Sequence, residues 1–204
     1  MVSVIDYGMG NIHSVKKALE VCGAPVLVTS KPEDIISSEG IVLPGVGAFG
    51  EAMDELEKRK LIPVIKDSAK NNKALLGICL GMQVLFEESQ ESDGKKGLGL
   101  LEGKVKKFPK AEFKVPHMGW NQVKINPQNK CPLLDGLSDG VYFYFCHSYY
   151  PEPLNNHEVA ATTNYGIDFA SMVYSKNIFG TQFHPEKSQL AGLKIIDNFL
   201  KLCL

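Results

Sequence analysis

Cys79 stands between two glycines in the stretch LLGICLGMQVLFE, Leu75 to Glu87. An apolar run, Ala74–Ile78, precedes it, and a helix-like pattern over Met82–Phe86 follows. A cysteine on such a strand–turn–helix elbow can work as a nucleophile. The tight turn lifts its side chain above the sheet edge, and Gly77 and Gly81 remove side-chain bulk. The free N–H groups opening the next helix favour a thiolate and a developing oxyanion. The same G-x-C-x-G pattern also suits a buried structural cysteine in a glycine-rich turn. Taken alone, Cys79 reads as either.

A thiol nucleophile needs a base, and the base needs an orienting acceptor. GTQFHPEKS, Gly180 to Ser188, places His184 after an apolar strand and Glu186 two residues on, with Pro185 stiffening the turn. Taken singly, such a triplet is an exposed loop histidine beside a solvated carboxylate. With an elbow cysteine in the same chain, base and orienter is the better reading. A third piece is LPGVGAF, Leu43 to Phe49. Gly45 and Gly47 let a backbone approach a ligand closely. At a strand end the segment can offer a second N–H to an oxyanion. It equally fits a plain turn after a strand.

The elements that must position these residues alternate in the first part of the chain. Strand patterns fall at Val2–Asp6, Ala24–Thr29, Gly40–Pro44 and Ala74–Ile78. Helical patterns fall at Asn11–Cys22, Glu51–Lys58 and Ile62–Asn71, with Pro63 tolerated near the start of the last. Short apolar strands alternating with helices predict a parallel sheet covered on both faces. The second part is strand-like at Val141–Cys146, Glu158–Thr163, Phe169–Tyr174 and Ile178–Phe183, an antiparallel extension of the sheet. A helix from Leu190 to about Leu202 closes the chain. The fold class is therefore α/β: a mostly parallel central sheet flanked by helices, with an antiparallel extension, in one domain over residues 1–204.

Composition narrows the chemistry. A net charge of −1 argues against nucleic acid or an anionic membrane as the main partner. No stretch approaches the roughly 20 apolar residues of a membrane span. Asp6 falls where a signal peptide would need its apolar region. Five cysteines lie without metal-like spacing and form no CxxC pair, so no structural zinc is expected. A reducing cytoplasm is the simplest setting. Cys22 and Cys203 lie on apolar helix stripes and read as core, and Cys146 as a small apolar filler. Cys131 falls in a loop, and His13 and His157 read as solvated. PHMGWN, with His117 and Trp120, mixes polar and aromatic residues as a contact loop does.

GICLGMQ, PGVGAFG and FHPEKS together resemble the class I, triad-type glutamine amidotransferases, whose fold is flavodoxin-like. VIDYGMGNIHSV, VPHMGWN and YFYFCHSYY resemble one branch of them, the glutaminase subunits of imidazole glycerol phosphate synthases of histidine biosynthesis. The resemblance spans nearly the whole chain. It implies Cys79 as nucleophile, His184 as base and acid, and Glu186 as its orienter. It implies oxyanion donors from the backbone of Gly45–Val46 and the Leu80 N–H, in a PGVG segment that rearranges to complete the hole. Gly47 and Gln83 would contact glutamine. Asn11, Trp120 and Tyr144 would face the partner, and His147 would have a structural hydrogen-bonding role near the site. The implied partner is a (β/α)₈-barrel cyclase in a heterodimer that uses the ammonia, with no cofactor and no metal. Two other readings share the elbow: the same chemistry serving a different synthase, and a non-catalytic binding module. DYGMGN counts against the first, and the presence of His184 and Glu186 against the second.

Overall fold

The structure is a computed structural model that describes residues 1–110 and 113–203. Its first part runs β1 (Val2–Ile5), α1 (Ile12–Val21), β2 (Val26–Thr29), α2 (Pro32–Ser37), β3 (Gly40–Gly45), α3 (Phe49–Lys58), α4 (Leu61–Lys70), β4 (Ala74–Cys79) and α5 (Leu80–Gln83). The second part runs β5 (Glu88–Ser89), β6 (Gly103–Lys107), β7 (His117–Ile125), β8 (Val141–His147), β9 (Tyr149–Pro153), β10 (Val159–Asn164), β11 (Asp168–Ser175), β12 (Ile178–Thr181) and α6 (Gln189–Cys203).

Nine strands form one sheet in the order β2-β1-β3-β4-β12-β11-β10-β7-β8. Pairings from β2 to β12 are parallel, and those from β12 to β8 antiparallel. A smaller sheet, β5-β6-β9, is not hydrogen-bonded into it, and its β9 packs against β11. The parallel strands are apolar on both sides because both faces are covered. Val4, Val42, Leu76 and Ile78 join the core that holds Val15 and Leu19 of α1 and Ile195, Ile196 and Phe199 of α6. Ile5, Ile41, Leu43 and Leu75 point the other way, into a core with Ile35 of α2, Phe49, Met53 and Leu56 of α3, and Leu61 and Ile65 of α4. Each such aliphatic side chain contributes about 1.5–3 kcal/mol on burial. The helix ends follow local chemistry. Asn11 caps α1, its side-chain oxygen accepting the Ser14 N–H at 3.3 Å. Pro32 opens α2, with Glu33 and Asp34 in the first turn.

The topology gathers three chain segments at one edge of the sheet. β3 and β4 run parallel with Gly45 opposite Cys79. β12 returns to the other side of β4 with Thr181 opposite Ile78, so the residues after it emerge beside Cys79. The carboxyl ends of parallel strands are where such sheets place their ligands.

Five elements differ from the sequence reading. PHMGWN is no contact loop: His117 to Asn121 open the nine-residue strand β7, paired with β8 from His117↔His147 to Val123↔Val141. Exposed and buried side chains alternate along it, and its mixed composition reflects one face in solvent. Beyond it, α2, β5, β6 and β9 are additional elements. Cys131, in a loop by sequence, is buried in the core, whereas Cys22 is only half-buried.

Candidate active site

Cys79 is the last residue of β4 and the cap of α5, and its backbone sits at φ 55°, ψ −109°. Positive φ is a strained conformation for a residue with a side chain, held only where the surroundings demand it. Here they do. A Cβ on Gly81 would run into the Leu43 carbonyl, and one on Gly77 would sit 2.5 Å from the Gly81 carbonyl oxygen. The α5 turn therefore packs directly on β3 and β4, and only glycine allows that approach. The sequence pattern around the elbow carries this geometry.

Gly45, opposite Cys79, is equally close. A Cβ there would lie 2.6 Å from the Tyr7 hydroxyl and 2.9 Å from the Gly81 nitrogen. Tyr7 is fully buried, and its hydroxyl donates to the Pro44 carbonyl at 2.8 Å. That bond fixes the Pro44–Gly45 peptide beside Cys79. Burial and the neighbouring Cys79 push the Tyr7 phenol up, so it stays a neutral donor. Val46, the next residue, is exposed and lines the cavity, and Leu80 opens α5 with its N–H free of any helical partner.

His184 follows β12. Its Nδ1 donates to Glu186 Oε1 at 2.8 Å, and both side chains are buried. This leaves Nε2 for Cys79. Burial alone would push the His184 pKa down. Hydrogen bonds and charge from Cys79 and Glu186 outweigh it and hold His184 at about 10. The three residues are thus linked in sequence, thiol to imidazole to carboxylate. The second Glu186 oxygen, Oε2, is buried without a hydrogen-bond partner among the described residues.

The cavity over these groups has a volume of about 280 Å³ and holds Val46, Gly47, Cys79, Leu80, Gln83 and His184 together. Four larger surface grooves, of about 380, 490, 520 and 750 Å³, are lined by no cysteine or histidine among the described residues. Chemistry, not size, places the site. Gln83 lines it, but its amide nitrogen is committed to the Tyr149 carbonyl at 2.9 Å and to Gln182 Oε1 at 3.0 Å. Only its oxygen is left to accept from a ligand amide. Glu91 and Lys187 put opposite charges on the cavity wall, suited to the ammonium and carboxylate of an amino acid. Glu91 also accepts the Phe49 N–H at 2.8 Å and so caps α3, whose own Ala48 cannot.

Trp120 and Tyr144 are paired across β7 and β8, with rings edge to face at 6.3 Å. Met118, Trp120 and Tyr142 are all exposed, forming an apolar face on the edge strands beside the cavity. Lys187 lies 5.7 Å over the Tyr144 ring, linking that face to the His184 turn. Asn11 serves as the α1 cap, and its neighbour Gly10 approaches the Pro44 ring. His147 is buried and lines the cavity; Cys146 lines it too, half-buried, with its carbonyl 3.9 Å from Cys79 Sγ. His13 and His157 are exposed. Sequence reasoning did not name Tyr7, Glu91 or Gln182 as site residues. Gln182 had a signal, being a polar amide in an apolar strand end beside the histidine.

The family described as glutamine amidotransferase class-I matches residues 3–203. The chain is similar to curated proteins named imidazole glycerol phosphate synthase subunit HisH. The one from Methanosarcina acetivorans is 49% identical, covering 99% of this chain and 98% of its own. That of Bacillus subtilis is 48% identical, covering 99% and 96%. Among solved structures, a glutamine amidotransferase superposes with a TM-score of 0.78 at 20% identity, over 99% of this chain and 98% of its own. PurLQS from Thermotoga maritima gives 0.74 at 21% identity, over 98% and 97%. At such identities these two speak for the fold alone.

Proposed function

This chain belongs to the class-I glutamine amidotransferase family, and we propose Cys79, His184 and Glu186 as the residues that carry its chemistry. Its function is that of the glutamine-hydrolysing subunit of an imidazole glycerol phosphate synthase, in histidine biosynthesis. The single observation that carries the site assignment is Cys79 at positive φ beside a buried His184 held by Glu186.

The mechanism follows from that arrangement. Cys79 Sγ, as thiolate, attacks the side-chain amide carbon of glutamine. The oxyanion meets N–H donors from Leu80 and from the Gly45–Val46 segment. Gln83 Oε1 and Gly47 hold the substrate, while Glu91 and Lys187 pair with its charged ends. His184 Nε2–H gives its proton to the leaving nitrogen, and ammonia departs. His184, now neutral, takes a proton from water, which attacks the thioester. The sulfur is expelled and glutamate leaves. Glu186 stays ionised, orients the ring and stabilises the imidazolium.

Ammonia released to bulk water is protonated and diluted, so it must be consumed where it is made. A cyclase subunit is the partner that uses it. We assign that partner as a (β/α)₈ barrel in a heterodimer, docked on the face of Trp120 and Tyr144 with Asn11 at its margin. The exposed aromatic face beside the cavity supports this. Among the described residues no helix is long and apolar enough to cross a membrane. We place the enzyme in the cytoplasm and read residues 1–204 as one amidotransferase domain. The test is covalent: a glutamine analogue with an electrophilic carbon should label Cys79 alone among the five cysteines. Label at another cysteine, by peptide mapping, would overturn the assignment.

A further inference from the structure

Beside the triad lie buried polar side chains that the mechanism does not use. They are Gln182, His147 and His117, with Gln83 between them and the cavity. Their hydrogen bonds admit one assignment. The Tyr149 carbonyl can only accept. The Gln83 atom 2.9 Å from it is therefore the amide nitrogen, and His147 Nδ1, 2.8 Å away, carries its proton. The same Gln83 nitrogen then donates to Gln182 at 3.0 Å, so the Gln182 atom there is its oxygen. The other end of Gln182, its amide nitrogen, faces Cys79 Sγ at 3.6 Å.

A second branch leaves the same carbonyl. His147 Nε2 has no proton and accepts from His117 Nδ1 at 2.9 Å. His117 Nε2 accepts from Asn121 Nδ2 at 3.2 Å. Asn121 is itself fixed by backbone, accepting from Gln122 N at 2.8 Å and donating to the Asn164 carbonyl at 2.9 Å. Every donor in the chain meets an acceptor. Burial pushes His147 down to about 3 and His117 to about 4, so both rings stay neutral, as this pattern requires.

We propose that Gln182 is a second hydrogen-bond donor to the Cys79 sulfur, aimed by Gln83 and His147 through their shared hold on the Tyr149 carbonyl. A donor on sulfur favours the thiolate over the thiol. It acts at both moments when the sulfur carries charge: before attack, and on expulsion from the thioester-derived tetrahedral intermediate. His184 spends its proton on the leaving nitrogen, whereas the Gln182 donor is constant. Gln182 thereby touches a reacting atom. Gln83, His147 and His117 are positioning residues for it.

This inference rests on Cys79 as the nucleophile, and the test separates the two. In the full-length chain, alkylation of Cys79 by iodoacetamide is followed against pH by peptide mapping. Gln182→Met should slow it roughly tenfold on the acid side of the pH profile, the worth of a hydrogen bond to a charged group. The deficit should close as pH rises; a merely structural defect would persist. Gln83→Met, which frees the Gln182 amide to turn, should show a smaller deficit of the same pH dependence. The double variant should add little to Gln182→Met. If Gln182→Met fails to fold, Gln83→Met carries the test. Nitrogen-15 NMR of the unaltered protein should find His147 and His117 both protonated at Nδ1. Unchanged alkylation in a folded Gln182→Met, or an Nε2 proton on His147, would overturn the proposal. Failure of the electrophilic glutamine analogue to label unaltered Cys79 would instead overturn the nucleophile itself.

Discussion

The two halves of the large sheet hold their share of the site by different means. The parallel half, β2 to β4, places Cys79 with backbone: a residue at φ 55° wedged between glycines that pack on β3. The antiparallel half and its approach from β12 hold the His184 ring with a side chain, the Glu186 carboxylate at 2.8 Å. The difference has a physical reason. Cys79 is buried yet lines the cavity, and a tight turn fixes its sulfur at one point there, which a flexible segment would not. A base must be held in one tautomer, which takes an acceptor at its far nitrogen. Backbone placement tolerates no added atom; side-chain placement tolerates shape changes but no lost partner.

Substitutions in each half sharpen this contrast, from the largest effect downward. His184→Ala should lower glutamine turnover by roughly 10⁴-fold or more, and Glu186→Gln by up to a similar factor. The double change should cost little more than the worse single one. Additive losses in steady-state assays would show that the two do not act as a unit. Glu186→Gln should also move the alkaline limb of the pH–rate profile to lower pH. The carboxylate is one of the groups holding His184 at about 10, and without it the imidazolium gives up its proton sooner. The same raised value contributes folding stability that is fully present below about pH 6.5 and is lost as pH rises through about 10.

Matched glycine substitutions compare the halves by stability. Gly81→Ala drives a Cβ into the Leu43 backbone, which can yield only by breaking the β3–β4 register. It should cost roughly 3 kcal/mol or more in chemical denaturation. Gly119→Ala in β7 meets no atom within 4 Å, and its cost is the strain of φ +132° alone, about 1–2 kcal/mol. Equal losses would break the comparison. The smallest effect should come from Tyr7→Phe, which removes the donor to Pro44 O, at about 1 kcal/mol of stability.

The strands of the parallel half were legible in the sequence to within a residue or two at their ends. Strands buried on both faces are short unbroken apolar runs, and Ala74–Ile78 and Gly40–Pro44 announce themselves. The glycines at 77 and 81 and the triplet at 184–186 brought Cys79, His184 and Glu186 together before any geometry. β6, GKVKK, and β7, HMGWNQVKI, were not legible, because one face of each meets solvent and charge or glycine interrupts the run. α2 left a signal that periodicity missed: Pro32 at its start followed by Glu33 and Asp34. The Gln182–Gln83–Tyr149 arrangement spans contacts 66 and 99 residues apart and includes a main-chain carbonyl, which no sequence motif encodes.

We propose that glutamine is cleaved at Cys79 in this chain, while the ammonia is consumed in another. The most direct measurement assembles Cys79→Ala with its cyclase subunit and follows imidazole glycerol phosphate formation from glutamine and, separately, from ammonium salts. Synthesis from glutamine should vanish, and synthesis from ammonium should match the unaltered complex. Loss of both in a complex shown to be assembled, or continued synthesis from glutamine, would contradict the division of labour.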